Sequence, residues 1–176
     1  MKVWVIAAVL FLDQLAKYLA VEYLEKSDKP IPLIPGFISL QYRPNLGAAF
    51  SMFSGQTFAL SILTVAAIVV IGWIAAKTPR DHPWARWGYS LILGGAAGNL
   101  LDRLFRGGNG LFRGHVVDFM QFPWFVNNLA DDAICIGVAC VVLAFYLYPQ
   151  STPPVAADVG DETRGAGDSG TGGGKT

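Results

Sequence analysis

Between Thr57 and Ala76 the chain runs for about 20 residues without a charged side chain, the length an α-helix needs to cross a hydrocarbon layer. Such a run has few alternatives, because in lipid every backbone polar group must be satisfied within a helix or a closed barrel. Three other apolar stretches predict companions: 3–24, interrupted by Asp13, Gln14 and Lys17; 87–104, rich in Gly and Ala; and 129–148. Composition agrees. Apolar residues make up 53% of the chain and charged residues 15%, against roughly 25% charged in a typical soluble domain. The expected fold class is an all-α membrane protein with four transmembrane helices and a small extramembrane, β-containing cradle between helices 1 and 2.

The first run resembles a signal peptide, but no small-residue cleavage site follows it, so a retained helix is predicted. Asp13 and Lys17 stand at i and i+4 and can pair on one helix face, which lowers the cost of both in lipid. In segment 26–55, Pro30, Pro32 and Pro35 break any helix, and Phe37–Arg43 alternates as a short strand. Pro44-Asn45-Leu46-Gly47 reads as a turn, and 48–53 as a patch of small and aromatic residues. An apolar strand face against lipid headgroups would suit a cradle for a substrate. Lys77, Arg80 and Arg86 make the 77–86 loop basic, which places it and both termini in the cytoplasm. His82 reads as a solvated loop residue.

The third run carries Gly94-Gly95-Ala96-Ala97-Gly98, a small-residue surface for close helix approach. Asn99, Asp102 and Arg103 follow it; Arg103 is expected to meet a carboxylate or backbone carbonyls, in a stabilising role. A Gly-rich loop, 106–127, then holds His115 and Asp118. Cys135 and Cys140, at i and i+5, point in different directions and read as small buried hydrophobes, not a bridge. Residues 150–176 are Gly-, Asp- and Ser-rich and predict a disordered tail. Zero formal charge recommends no nucleic-acid partner. No second His or Cys stands at ligand spacing to His115, so no metal and no cofactor are expected.

The chemistry concentrates in Gly114–Ile134, where Asp118, Asp131 and Asp132 lie among aromatic and aliphatic neighbours. Ionised groups at a hydrocarbon edge cost several kcal/mol unless paired, hydrated or neutralised. Asp118 with one of Asp131 and Asp132 could form a dyad that shares a proton. Its ionised member would take a proton from water attacking a peptide carbonyl, and its protonated member would donate to the carbonyl oxygen and then the leaving amine. Intramembrane carboxylates suit a proton or cation pathway equally well. A non-catalytic membrane scaffold is the third reading.

Asn45-Leu-Gly-Ala-Ala-Phe-Ser51, Gly94-Gly-Ala-Ala-Gly-Asn-Leu-Leu-Asp-Arg103, Val116-Val-Asp-Phe119 and Asn128-Leu-Ala-Asp-Asp-Ala-Ile134 stand in order, with Asp13-Gln14-x-x-Lys17 ahead of them. Together they resemble bacterial lipoprotein signal peptidase (signal peptidase II), over roughly Leu12 to Gly137. The resemblance implies a four-helix aspartyl protease of the bacterial inner membrane, active near the periplasmic face and working as a monomer without cofactor. Segments 26–55 and 106–127 would then be periplasmic. The implied substrate is a prolipoprotein whose lipobox cysteine bears diacylglycerol, cut just before that cysteine, with membrane lipids around it and a globomycin-type peptide as inhibitor. By motif, Asp118 and Asp131 are the catalytic pair. Asn45, Gly47, Asn99, Arg103 and Asn128 position substrate or dyad, and Asp13, Lys17 and Asp102 are structural. Two positions depart from the family pattern. Asn127 stands where Phe is usual, and Asp132 where a small residue is usual; adjacent helix positions diverge by about 100°, so Asp132 is expected to face solvent or headgroups.

Overall fold

The computed structural model describes residues 1–27, 29–47, 57–107 and 110–147. Four helices and four strands alternate within them: α1 (Val3–Leu24), β1 (Ile31–Ile34), β2 (Ile38–Asn45), α2 (Thr57–Lys77), α3 (Pro83–Phe105), β3 (Val116–Gln121), β4 (Val126–Asn127) and α4 (Leu129–Leu147). The 48–53 patch and the 150–176 tail lie outside the described residues.

The helices are polar on the inside. α1 buries Asp13 and Lys17 and exposes Phe11, Leu12, Leu15 and Tyr18. α2 exposes Phe58, Leu63, Val69 and Val70. A helix set that hides its charges and shows its hydrocarbon is stable only in an apolar surround. The chain is an integral membrane protein. α1, α2 and α4 are each long and apolar enough to cross a membrane. α3 is long enough at 23 residues, but its small and polar residues put it below those three in hydropathy. It begins at Pro83, four residues before the predicted start, because proline suits the first helical turn.

α3 sits at the centre, packed on α1, α2 and α4. It meets α4 most closely where Gly88 faces Gly137: a Cβ on Gly88 would lie 2.6 Å from the Gly137 carbonyl oxygen, and one on Gly137 2.7 Å from that of Gly88. Only hydrogen at both positions allows that contact. Toward one end, Ala75, Ala85, Tyr89, Leu93 and Ala144 form an apolar cluster joining α2, α3 and α4.

The part of the chain outside the helices is more regular than expected. The strands form one antiparallel sheet in the order β1-β2-β3-β4. The predicted strand at Phe37–Arg43 is present, shifted to Ile38–Asn45, so Asn45 ends a strand and does not sit inside a turn. Pro32, read as a breaker, lies in edge strand β1, where a missing N–H is tolerated. The loop predicted around Asp118 is corrected to strand β3, which pairs Asn45 with Val116 and Arg43 with Asp118. Alternation along β3 sends Val117 into a cluster with Ala20 and Leu24 of α1 and turns Asp118 to the opposite face. Cys135 and Cys140 are free, the first exposed and the second half-buried, which corrects their assignment as buried.

Candidate active site

Asp118 is 3% exposed and accepts two amide hydrogen bonds, from Asn45 Nδ2 at 2.8 Å and Asn128 Nδ2 at 2.6 Å. Asn128 precedes the first residue of α4 and caps it. Its Oδ1 accepts from the Asp131 backbone N–H at 3.2 Å, satisfying one of the helix's free donors. The same side chain therefore joins Asp118 to the turn that carries Asp131. Asp131 in turn accepts from Asn99 Nδ2 at 2.7 Å.

All three amides are held in one orientation by what binds their oxygens. Asn45 Oδ1 accepts from Gly47 N–H at 2.9 Å, Asn128 Oδ1 from Asp131 N–H, and Asn99 Oδ1 from Lys17 Nζ at 2.8 Å. Since a backbone N–H or an ammonium can only donate, each amide must turn its NH₂ toward a carboxylate. Three donors thus converge on Asp118 and Asp131.

Beneath this lies a buried charge cluster. Asp13, Lys17 and Asp102 are each 0% exposed. Lys17 Nζ lies 2.9 Å from Asp13 Oδ2 and 2.9 Å from Asp102 Oδ2, as the i, i+4 spacing of the first pair predicts. Asp102 also receives Arg106 Nε at 2.6 Å and the Val117 backbone N–H at 3.2 Å, tying α3 to β3 next to Asp118. Asp13 accepts from the Ala130 N–H at 3.0 Å, tying α1 to the first turn of α4. Gly98 makes room for this, since a Cβ there would collide with Asp13 Oδ2. Gln14 Nε2 completes the cluster through Asp13, Asp102 and the Gly98 carbonyl.

Burial pushes the Asp118 carboxyl up to about 6, and the charge of Asp131 adds to the rise, against the pull of the two amide bonds. Outside the spans, His115 bonds Tyr42 across 3.1 Å, and burial lowers its pKa. No group of three or more His, Cys, Asp or Glu side chains is placed to hold a metal ion among the described residues.

Most predicted site residues converge here: Asn45, Gly47, Asn99, Asp118, Asn128 and Asp131, with Asp13, Lys17 and Asp102 as the base. Arg103 differs. It is half-buried in the field of Asp131, Asp102 and Asp118 but makes no ion pair among the described residues. The expected arginine–carboxylate contact is made by Arg106 instead, one helical turn after Asp102. The i, i+4 rule that pairs Asp13 with Lys17 would have found it, had the helix been read past Leu104. Asp132 is half-buried, partly exposed as expected, and accepts from Asn127 Nδ2 at 2.6 Å. The two departures from the family pattern thus bind each other, and Asn127 holds Asp132 on a bond separate from the amides that serve Asp118 and Asp131. Asn127 Oδ1 is buried and has no hydrogen-bond partner among the described residues.

These features define a helical membrane protein with a buried acid–amide centre beneath a small sheet. A family model described as Signal peptidase (SPase) II matches residues 5–147. The lipoprotein signal peptidase of Mycobacterium avium (strain 104) is 41% identical over 150 residues, 84% of this chain and 80% of that one. That of Nostoc sp. (strain PCC 7120 / SAG 25.82 / UTEX 2576) is 37% identical over 153 residues, 85% and 92% of the two chains. A solved bacterial membrane enzyme superposes with a TM-score of 0.72 at 25% identity, over 84% of this chain and 88% of that one. The chain belongs to the signal peptidase II family, and it is a peptidase of lipoprotein processing.

Proposed function

We propose that the chain is an aspartic endopeptidase that removes signal peptides from diacylglyceryl prolipoproteins, cutting before the lipidated cysteine. The observation that carries this reading is the Asn128 side chain, which bonds Asp118 and caps the turn bearing Asp131. Two carboxyls so linked share a proton, because like charges in low dielectric cannot both ionise easily. The ionised member activates water, and the protonated member supplies the proton to the carbonyl oxygen and the leaving amine. Asn45, Asn99 and Asn128 hold the pair in place. Arg103, in the field of both acids but without an ion pair among the described residues, is left to meet a substrate carbonyl.

In this reading α3 is the fourth span, since 23 residues make a helix of roughly 34 Å. Residues 1–149 form the peptidase domain and 150–176 a cytoplasmic tail. Lys2 and the 77–86 loop lie in the cytoplasm of a bacterial cell. The carboxylates then work near the periplasmic face of the inner membrane, as a monomer, where a globomycin-type peptide would compete with substrate. The test is cleavage in liposomes of a prolipoprotein with and without its diacylglycerol, with the cut mapped by mass spectrometry. A cut in the lipidated precursor just before the cysteine supports the reading; no cut, or one elsewhere, ends it.

The same geometry gives a pH prediction. An acid whose folded pKa is raised holds its proton below that pKa and loses it as pH rises through it. If the shared proton is needed, kcat/KM falls on the alkaline side with a midpoint near the Asp118 value of about 6. Asn45 lowers that value by bonding the charged form. Asn45→Ala is therefore expected to move the alkaline limb to higher pH, read from initial rates across a buffer series. A limb unmoved or moved downward would separate the proton from Asp118.

A further inference from the structure

The end of the bundle remote from the carboxylates collects the basic and indole side chains. Burial and then the charges of Arg86, Lys2 and Arg80 lower the pKa of the N-terminal amine, so these cations lie within each other's fields. Trp4 packs edge-on against Trp87 at 5.3 Å, and Lys2 Nζ lies 4.8 Å over the Trp87 ring. The carboxylate of this loop, Asp81, does not line the cavity described next.

Between the ends of α2, α3 and α4 lies a cavity of about 260 Å³, lined on its apolar side by Trp73, Ile74 and Phe145 and on its polar side by Lys77, His82 and Tyr89. Lys77 Nζ sits 4.0 Å over the Trp73 ring, which leaves ammonium hydrogens free to donate. Tyr89 is only 8% exposed as a residue and lines the cavity, and its hydroxyl is not among the enclosed polar atoms that lack a partner. A hydroxyl open to that space can donate to a group that enters it. The positive end of the α3 dipole, without a side-chain cap at His82, lies at the same place.

We propose that this cavity binds the phosphate headgroup of an anionic membrane phospholipid, with Lys77 Nζ and the Tyr89 hydroxyl as donors. The apolar side argues for a lipid over free phosphate. Trp73 and Phe145 are 60% and 61% exposed on the outer surface of the helices, so a glycerol and its chains can lie along them while the phosphate reaches inward. The net positive charge favours an anionic headgroup over a zwitterionic one.

The full chain in detergent micelles would be titrated with phosphatidylglycerol, phosphatidylcholine and inorganic phosphate, and occupancy read by native mass spectrometry. Phosphatidylglycerol is expected to bind about fivefold or more tightly than phosphatidylcholine. Lys77→Gln and Tyr89→Phe, the latter preserving the packed ring, should each lower its occupancy by a similar factor. Lys2→Gln removes the same charge from the same end outside the cavity and should change nothing. Undiminished phosphatidylglycerol binding in either cavity variant overturns the proposal. So does an equal loss in Lys2→Gln, which would mean diffuse surface attraction, or equal binding of phosphatidylcholine. Displacement of the lipid by inorganic phosphate at comparable concentration would make this a free-phosphate site and would also overturn it.

Discussion

Asp118→Asn and Asp131→Asn are each expected to lower the rate of prolipoprotein cleavage by about 10²–10⁴-fold, the range general acid–base groups supply. Asp132→Asn should stay within about twofold of the wild type, as for a change outside the reacting groups. The difference follows from the partners. Asp118 and Asp131 accept from amides whose orientation is fixed elsewhere, while Asp132 accepts from Asn127, and an Asn at position 132 keeps an oxygen for that bond. Each variant would be checked for insertion and folding, then assayed on a diacylglyceryl precursor. A dead Asp132→Asn beside an active Asp131→Asn would move the dyad by one position. Activity in all three would remove the aspartic mechanism and return attention to a proton pathway, which flux in sealed vesicles can measure.

How far this site could be read from the chain alone depended on the range of each interaction. The membrane helices were legible because an apolar run of sufficient length has one solution in lipid. Asp13–Lys17 was legible because both partners lie on one helix face. Asp118 was placed in a loop because β3 is six residues long between Gly-rich and Pro-containing segments. Its partner β2 pairs with it from more than 70 positions away, and no local pattern records that pairing. The grouping of Asn45, Asn99 and Asn128 came only from the motif resemblance, for the same reason: each is an ordinary turn, span or cap residue in its own segment. Cys135 and Cys140 were misplaced by a different error. In a membrane protein apolar character does not mean burial, since lipid receives the outward face. Motif resemblance alone supplied the choice of Asp131 over Asp132, and the pair of Asn variants at those positions tests it.

Lys17→Met should be the most damaging substitution outside the carboxylates, because it removes the cation shared by two fully buried acids. Breaking a buried pair from one side costs about 3–5 kcal/mol, which equilibrium unfolding in mixed micelles titrated with denaturing detergent would read. Asp102 would keep Arg106, whereas Asp13 would keep only the Ala130 N–H and Gln14. Asp13→Asn combined with Lys17→Met removes the one charge left unbalanced, so the double variant is expected to be more stable than Lys17→Met alone. Cleavage should not recover with it. Without Lys17 the Asn99 amide is no longer held with its NH₂ toward Asp131, and a flip would present an oxygen to that carboxylate. Stability restored with activity still lost would separate the two tasks of Lys17, balancing buried charge and orienting Asn99. Recovery of both together would leave charge balance as its whole contribution.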